Sequence, residues 1–151
     1  MKRKGSRFEY KEERDADLLR AYKQLVGRDS KTVVEIAKLI AKSQSKRFWC
    51  SEVRANAVIQ DMLKGRPIDS MNITKQQMYR EIYRRTRKMM QEQPGMSVKE
   101  IVFRVCQEPA PEFYLTWKSV IVILNRVRRE DACKRKRHLI MRNYAFTHSE
   151  H

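Results

Sequence analysis

The sequence predicts an all-α protein made of two tandem three-helix units with a basic C-terminal helical extension. Its 151 residues contain only four glycines and four prolines, and they are rich in the helix-forming residues Lys, Arg, Glu, Gln and Met. Apolar residues recur at spacings of three and four, the period of a helix with one buried face. Residues 32–64 also align without gaps on residues 97–129, at an offset of 65 positions. The helices therefore come as two copies of one module.

The repeat rests on features that apolar periodicity alone does not produce. Thr32 and Ser97 each precede a glutamate by three residues, which is the pattern of a helix capping box. In both copies an aromatic pair is followed by a helix N-cap residue, Ser51 or Thr116. The identical pairs at this offset are Val33 with Val98, Glu35 with Glu100, Ile36 with Ile101, and Phe48 with Phe113.

Caps and helix breakers set the expected boundaries. Helices are expected to begin at Ser6, Thr32 and Ser51 in the first unit, and at Thr74, Ser97 and Thr116 in the second. Gly65 is the expected C-cap of the third helix, and further helix is expected over Asp131–Tyr144. The predicted division is a first unit with a basic N-terminal arm at 1–66, a second unit at 67–130 and a basic extension at 131–151.

The charge indicates an anionic partner. The net charge is +16 and the isoelectric point is near 10.1. On each side of the boundary after Arg66 there are seventeen Lys and Arg against nine Asp and Glu, so each part carries 17 − 9 = +8. Because both units are basic, the charge does not come from a single tail. Such a field favours polyanions, with nucleic acid first and an anionic membrane second.

Several function classes lack support in the sequence. No apolar run approaches the length of a membrane span, and no apolar segment follows the basic N-terminus, so neither a membrane partner nor a secretory signal is expected. Three cysteines without a CxxC pair indicate reduced thiols in the cytoplasm, with Cys50 and Cys106 as packing residues. No catalytic constellation, cofactor motif or metal-ligand spacing is present. We therefore expect no enzyme, no cofactor and no metal.

The segment 34–41 resembles the second helix of the helix-turn-helix superfamily. Ala37 matches the small residue that lets the recognition helix of that superfamily approach closely. The resemblance covers residues 9–65 and, through the repeat, 74–130. It implies three-helix DNA-binding units whose third helices enter the major groove. Two features depart from the pattern: the loop has seven or eight residues instead of a tight turn, and Val102 stands at the small position in the second copy.

Basic and polar side chains supply the candidate contacts. The expected phosphate contacts are Lys2, Arg3, Lys4, Arg80, Arg84, Arg87, Lys88, Arg126, Arg129, Lys134, Arg135, Lys136 and Arg137. Candidate base-reading residues on the third helices are Ser51, Arg54, Gln60, Lys118, Ser119 and Asn125. Trp117 and Ile121 are candidates for a protein interface or a homodimer contact through the helix Thr116–Arg129.

The repeated aromatic pairs have two interpretations. Phe48-Trp49 and Phe113-Tyr114 could stack on unpaired bases, or they could fill the core beneath a long loop. Arg47 precedes the first pair and Glu112 the second, so the neighbouring charge reverses while the aromatics stay. This reversal favours core packing.

Together these features predict a non-enzymatic nucleic-acid-binding protein, with double-stranded DNA favoured over RNA. Its tandem units would act as a regulator or as an architectural or accessory factor. One alternative is an RNA-binding subunit of a ribonucleoprotein, which the basic surface fits equally well. The other is a helical adaptor that docks a protein through the Trp117 helix.

Overall fold

The structure, a computed structural model, describes residues 10–26 and 31–148. These described residues form six helices, α1 Lys11–Leu25, α2 Val33–Ala41, α3 Glu52–Leu63, α4 Ile73–Glu92, α5 Val98–Cys106 and α6 Trp117–His148. The described residues contain no strand, and the all-α prediction is confirmed.

Most helix ends follow the predicted caps. Thr32 and Glu35 form a complete capping box at α2, and Ser51 and Ser97 accept backbone N–H groups at the starts of α3 and α5. At the end of α3, Gly65 has φ +80°. There the N–H of Arg66 reaches the carbonyl of Asp61 at 3.0 Å, the bond that defines a Schellman motif.

Of three further expectations about the helices, one needs correction, one is confirmed and one lies outside the described residues. The N-cap of α4 is Asn72 and not Thr74, because the Asn72 side chain accepts the N–H of Lys75 at 3.0 Å. Helix over Asp131–Tyr144 is confirmed, and this segment continues α6 without a break. The predicted first cap at Ser6 lies outside the described residues.

The helices form two cores, and each core contains helices from both repeats. In the first core α1 and α2 pack against α6, with Leu18, Ile40 and Val120 fully buried. In the second core α4 and α5 pack against α3, with Ile59 and Ile82 fully buried. Within the described chain α2 does not contact α3, and α5 does not contact α6. The repeats thus exchange their third helices.

The crossing loops meet on an approximate two-fold axis. Ser45 and Ala110 are equivalent residues of the two repeats, and each donates its backbone N–H to the carbonyl of the other at 3.1 Å. A second pair of bonds obeys the same symmetry. The N–H of Phe48 reaches the carbonyl of Cys106 at 3.0 Å, and that of Phe113 reaches Ala41 at 3.3 Å. The offset of 65 residues is therefore repeated in the backbone hydrogen bonds as well as in the sequence.

The aromatic residues of the loops lie in the cores. Phe48 is fully buried in the second core and Phe113 is buried in the first, which agrees with the packing interpretation. Trp49 is half-buried and donates its indole Nε1–H to Asp17 at 2.9 Å. The apolar pattern predicts that Val33 faces inward, but it is 57% exposed because it occupies the first position of α2, before the buried positions begin.

Candidate nucleic-acid interface

The last half of α6 extends away from both cores as a single helix. Val120, Ile123 and Leu124 bury the first turns of α6 in the first core, whereas every residue from 132 to 145 is exposed. At a rise of 1.5 Å per residue, residues 132–148 extend for about 25 Å. We call residues 132–148 the projecting segment. Its residues 132–145 are exposed to solvent all around the helix.

The projecting segment is basic and contains no acid. It carries Lys134, Arg135, Lys136, Arg137 and Arg142. Arg135 forms an exposed ion pair with Asp131 at 3.0 Å, one turn earlier on the same helix. Within the described part of the chain, Lys134, Lys136 and Arg137 have no acidic partner. These three cations are therefore available to an external anion.

The positive charges lie around the helix and not on one face. Successive residues of a helix are turned by about 100°, so the four-residue run 134–137 covers most of the circumference. The exposed apolar residues are also distributed, since Leu139, Ile140 and Met141 are consecutive and each is more than half exposed. Residues 132–145 therefore form no separate apolar face of the kind with which amphipathic helices lie on membranes.

Two arginines near the base of this segment hold α6 to the protein body. Arg126 forms an ion pair with the buried carboxylate of Asp15 on α1, and Arg128 lies over the Tyr22 ring at 5.0 Å. Arg129 donates from Nε to the carbonyl of Asn125 at 3.2 Å. Of the predicted phosphate contacts, Arg126 is thus already paired, and its ion pair joins α6 to α1.

The predicted basic face of α4 forms a second exposed cationic surface. Arg80, Arg84, Arg87 and Lys88 are all exposed. Arg84 donates to Glu81 at 2.7 Å, and this hydrogen bond is the largest cause of the lowered pKa of Glu81. Arg87 lies over the Tyr83 ring at 5.7 Å. Only part of the positive charge on this face is therefore neutralised within the protein.

The candidate base-reading residues lie at or on two helices, and the exchange places those of α3 in the second core and those of α6 in the first. Ser51 and Ser119 are engaged locally: the Ser51 side chain caps α3, and Ser119 accepts from the Thr116 hydroxyl at 3.0 Å. Gln60 is half-buried on α3. The exposed members of the set are Arg54, Lys118, Ser119 and Asn125.

The candidates for a protein interface pack inside the chain. Trp117 and Ile121 are half-buried against the first core, and the Lys38 ammonium group lies 5.6 Å from the centre of the Trp117 ring. Lys2, Arg3 and Lys4 lie outside the described residues. The remaining predicted phosphate contacts, Arg135 and its neighbours, are in the projecting segment.

Neither a metal centre nor a membrane span is found in the described residues. Residues 10–26 and 31–148 contain no group of three or more His, Cys, Asp or Glu side chains placed to hold a metal ion. In the same residues, no helix combines the length and the apolar character that crossing a membrane requires.

No protein-family model, curated protein or solved structure matches the chain. What indicates its function is therefore its own geometry and charge.

Proposed function

We propose that this chain is a non-enzymatic protein that binds double-stranded DNA, with the projecting segment of α6 as its main contact. The observation that carries this proposal is the exposed stretch 132–145, which has five Lys and Arg side chains and no acid. A solvated helix of this charge neutralises phosphates and releases their counterions, which supplies affinity without reading sequence.

The shape of the segment favours duplex DNA over structured RNA. An α-helix with its side chains is about 10–12 Å wide, which matches the major groove of B-DNA at about 12 Å. Phosphates line both walls of that groove, so a helix with positive charge around its circumference can contact both. The major groove of A-form RNA is too narrow and deep to admit a helix.

The cores support a second, weaker contribution. Each core is a three-helix bundle whose third helix comes from the other repeat, so a helix-turn-helix arrangement would be completed by the exchange. In the proposal, Arg54 of α3 and Asn125 of α6 remain candidates for contacts to bases. The exposed face of α4, with Arg80 and Lys88, would add further phosphate contacts.

The test compares two variants in which the same charge is removed. The first is the triple variant Lys134→Gln, Lys136→Gln and Arg137→Gln. The matched control is Lys23→Gln, Lys64→Gln and Lys75→Gln, three lysines exposed on the body of the protein. Binding to a labelled random-sequence DNA duplex and to a labelled RNA hairpin is measured by fluorescence anisotropy at several salt concentrations.

We expect the wild type to bind the duplex more tightly than the hairpin and to weaken steeply with salt. The affinity of the helix variant should fall at least about tenfold, and its slope of log K against log salt should decrease by about 0.9 for each phosphate that it no longer neutralises. The control should change little.

Other outcomes would redirect or reject the proposal. An equal fall in affinity in both variants would mean that net charge acts without a defined interface, and preference for the hairpin would favour the RNA-binding alternative. Failure to bind either probe at low salt would reject nucleic-acid binding and leave the helical adaptor as the remaining alternative.

A further inference from the structure

Two thiols meet where the exchanged helix α3 enters the second core. Cys50 lies just before α3, Cys106 is the last residue of α5, and their sulfur atoms are 3.8 Å apart. Cys50 is 5% exposed and Cys106 is fully buried. The pair therefore joins a helix from one repeat to the core formed by the other.

Packing alone does not require cysteine at either position. At the offset of 65 residues Cys50 corresponds to Leu115, and Cys106 corresponds to Ala41. Those two apolar residues belong to the first core, which is therefore filled at this place without sulfur. The second core has two thiols in contact instead.

The surroundings make the two sulfurs chemically different. The hydrogen bond between the two sulfur atoms is the largest cause that lowers the pKa of the Cys50 thiol, and the positive charge of Arg47 acts in the same direction. The same hydrogen bond and burial raise the pKa of Cys106. Cys50 is therefore the sulfur that carries negative charge more readily, as an attacking thiolate requires.

We propose that Cys50 and Cys106 form a reversible disulfide that fastens α3 to the α4–α5 core, with hydrogen peroxide as the oxidant. The Cys50 thiolate attacks one peroxide oxygen, the O–O bond breaks, and the departing hydroxide takes up a proton to become water. The resulting sulfenic acid is then attacked by the Cys106 sulfur. The S–O bond breaks as the S–S bond forms, and the thiol proton leaves with the hydroxide as a second water. Two thiols are oxidised by two electrons, and one hydrogen peroxide is reduced to two waters.

Disulfide formation needs only a small movement of the sulfur atoms, and it stabilises the whole fold. The sulfurs must approach from 3.8 Å to about 2 Å, the length of a disulfide bond. The bond would close a loop over residues 50–106 and so restrict the unfolded chain. We expect the melting temperature to rise by roughly 10 °C on oxidation.

The test begins with Cys133→Ser, which removes the exposed third thiol. The folded variant is treated with hydrogen peroxide, and thiols are then counted in denaturant. We expect both thiols to disappear, the intact mass to fall by two hydrogen atoms, and migration on a non-reducing gel to increase. A dithiol reductant should reverse all three changes.

Cys106→Ala in the same background is the matched control, because alanine is the residue of the first copy at this position. It should show no gel shift, and its remaining thiol should be trapped by dimedone as a sulfenic acid after peroxide. Survival of both thiols in the Cys133→Ser protein, or oxygen addition without a disulfide, would overturn the proposal. The same gel shift in the Cys106→Ala control would overturn it too.

Discussion

The carboxylate of Asp17 connects α1 to the crossing loops. It receives Arg20 Nη2 at 2.6 Å, the backbone N–H of Lys46 at 2.8 Å and the indole Nε1–H of Trp49 at 2.9 Å. Its side chain is fully buried. All of these groups are donors, and all are directed at the one buried carboxylate. If Asp17 lost its negative charge, these buried donors would no longer have a suitable acceptor.

The substitution Asp17→Asn should therefore destabilise the protein strongly. Its amide nitrogen is a donor that would face other donors, and we expect a decrease of about 3 kcal/mol in the free energy of unfolding, measured with urea. Asp61→Asn is the control, since Asp61 pairs with Arg66 at 2.9 Å on the surface and both side chains are largely exposed. This second change should cost under about 1 kcal/mol. Similar decreases in the two variants would mean that the buried network is not what stabilises the crossing.

The importance of Asp17 could not be predicted from the sequence. It directly precedes the buried Leu18, and the helical period assigns an aspartate there to a solvated face. Its partner Trp49 is 32 residues away along the chain, in a loop whose path depends on the exchange of helices. The ion pair of Asp15 could not be predicted for the same reason, because its partner Arg126 lies 111 residues away along the chain.

At the scale of the helices, the ends were largely predictable because caps are local. The capping box of Thr32 and Glu35 and the C-cap at Gly65 depend on residues within one turn. The error at α4 is also local. Asn72 and Thr74 are both good N-cap residues, and the Thr74 hydroxyl donates to the Asn72 side chain at 2.8 Å, so the pattern alone did not distinguish them.

Gly65→Ala should shorten or strain the end of α3. The φ of +80° is unfavourable for alanine, whereas an added Cβ would meet nothing within 4 Å, so the cost comes from the backbone alone. We expect a decrease of about 1 kcal/mol in the free energy of unfolding in urea. Gly95→Ala is the control, because its surroundings are also open and its φ is not in the left-handed region. A Gly65→Ala protein as stable as the wild type would show that the Schellman motif is dispensable.

At the scale of the whole molecule, the exchange of third helices could not be predicted from the repeat. The apolar positions of α3 match those of α6, for example Val58 with Ile123 and Ile59 with Leu124. Judged by apolar positions alone, each of these two helices could therefore pack in either core. The loops decide which core each third helix joins. They cross at Ser45 and Ala110, and each loop connects the second helix of one core to the third helix of the other.

Cleavage of the linker between α3 and α4 should leave the two halves associated. Asp69 and Ser70 are exposed, so a protease site can be introduced there. After cleavage, the first core still combines α1 and α2 with α6, and the second still combines α3 with α4 and α5. We expect the fragments to elute together in native size-exclusion chromatography and to separate only in denaturant. Independent elution of two folded fragments would contradict the exchange.

The contact of Ser45 with its own counterpart Ala110 has a consequence for how the chain assembles. Two separate copies of one module joined in this way would form an isologous dimer, in which equivalent residues meet on the symmetry axis. Here the linker tethers the copies and replaces a bimolecular encounter by an intramolecular one at high effective concentration. The melting temperature of the intact chain should thus be independent of protein concentration, whereas that of the cleaved pair should fall on dilution. Because of the linker, a single polypeptide forms this symmetric association within itself, even at low protein concentration.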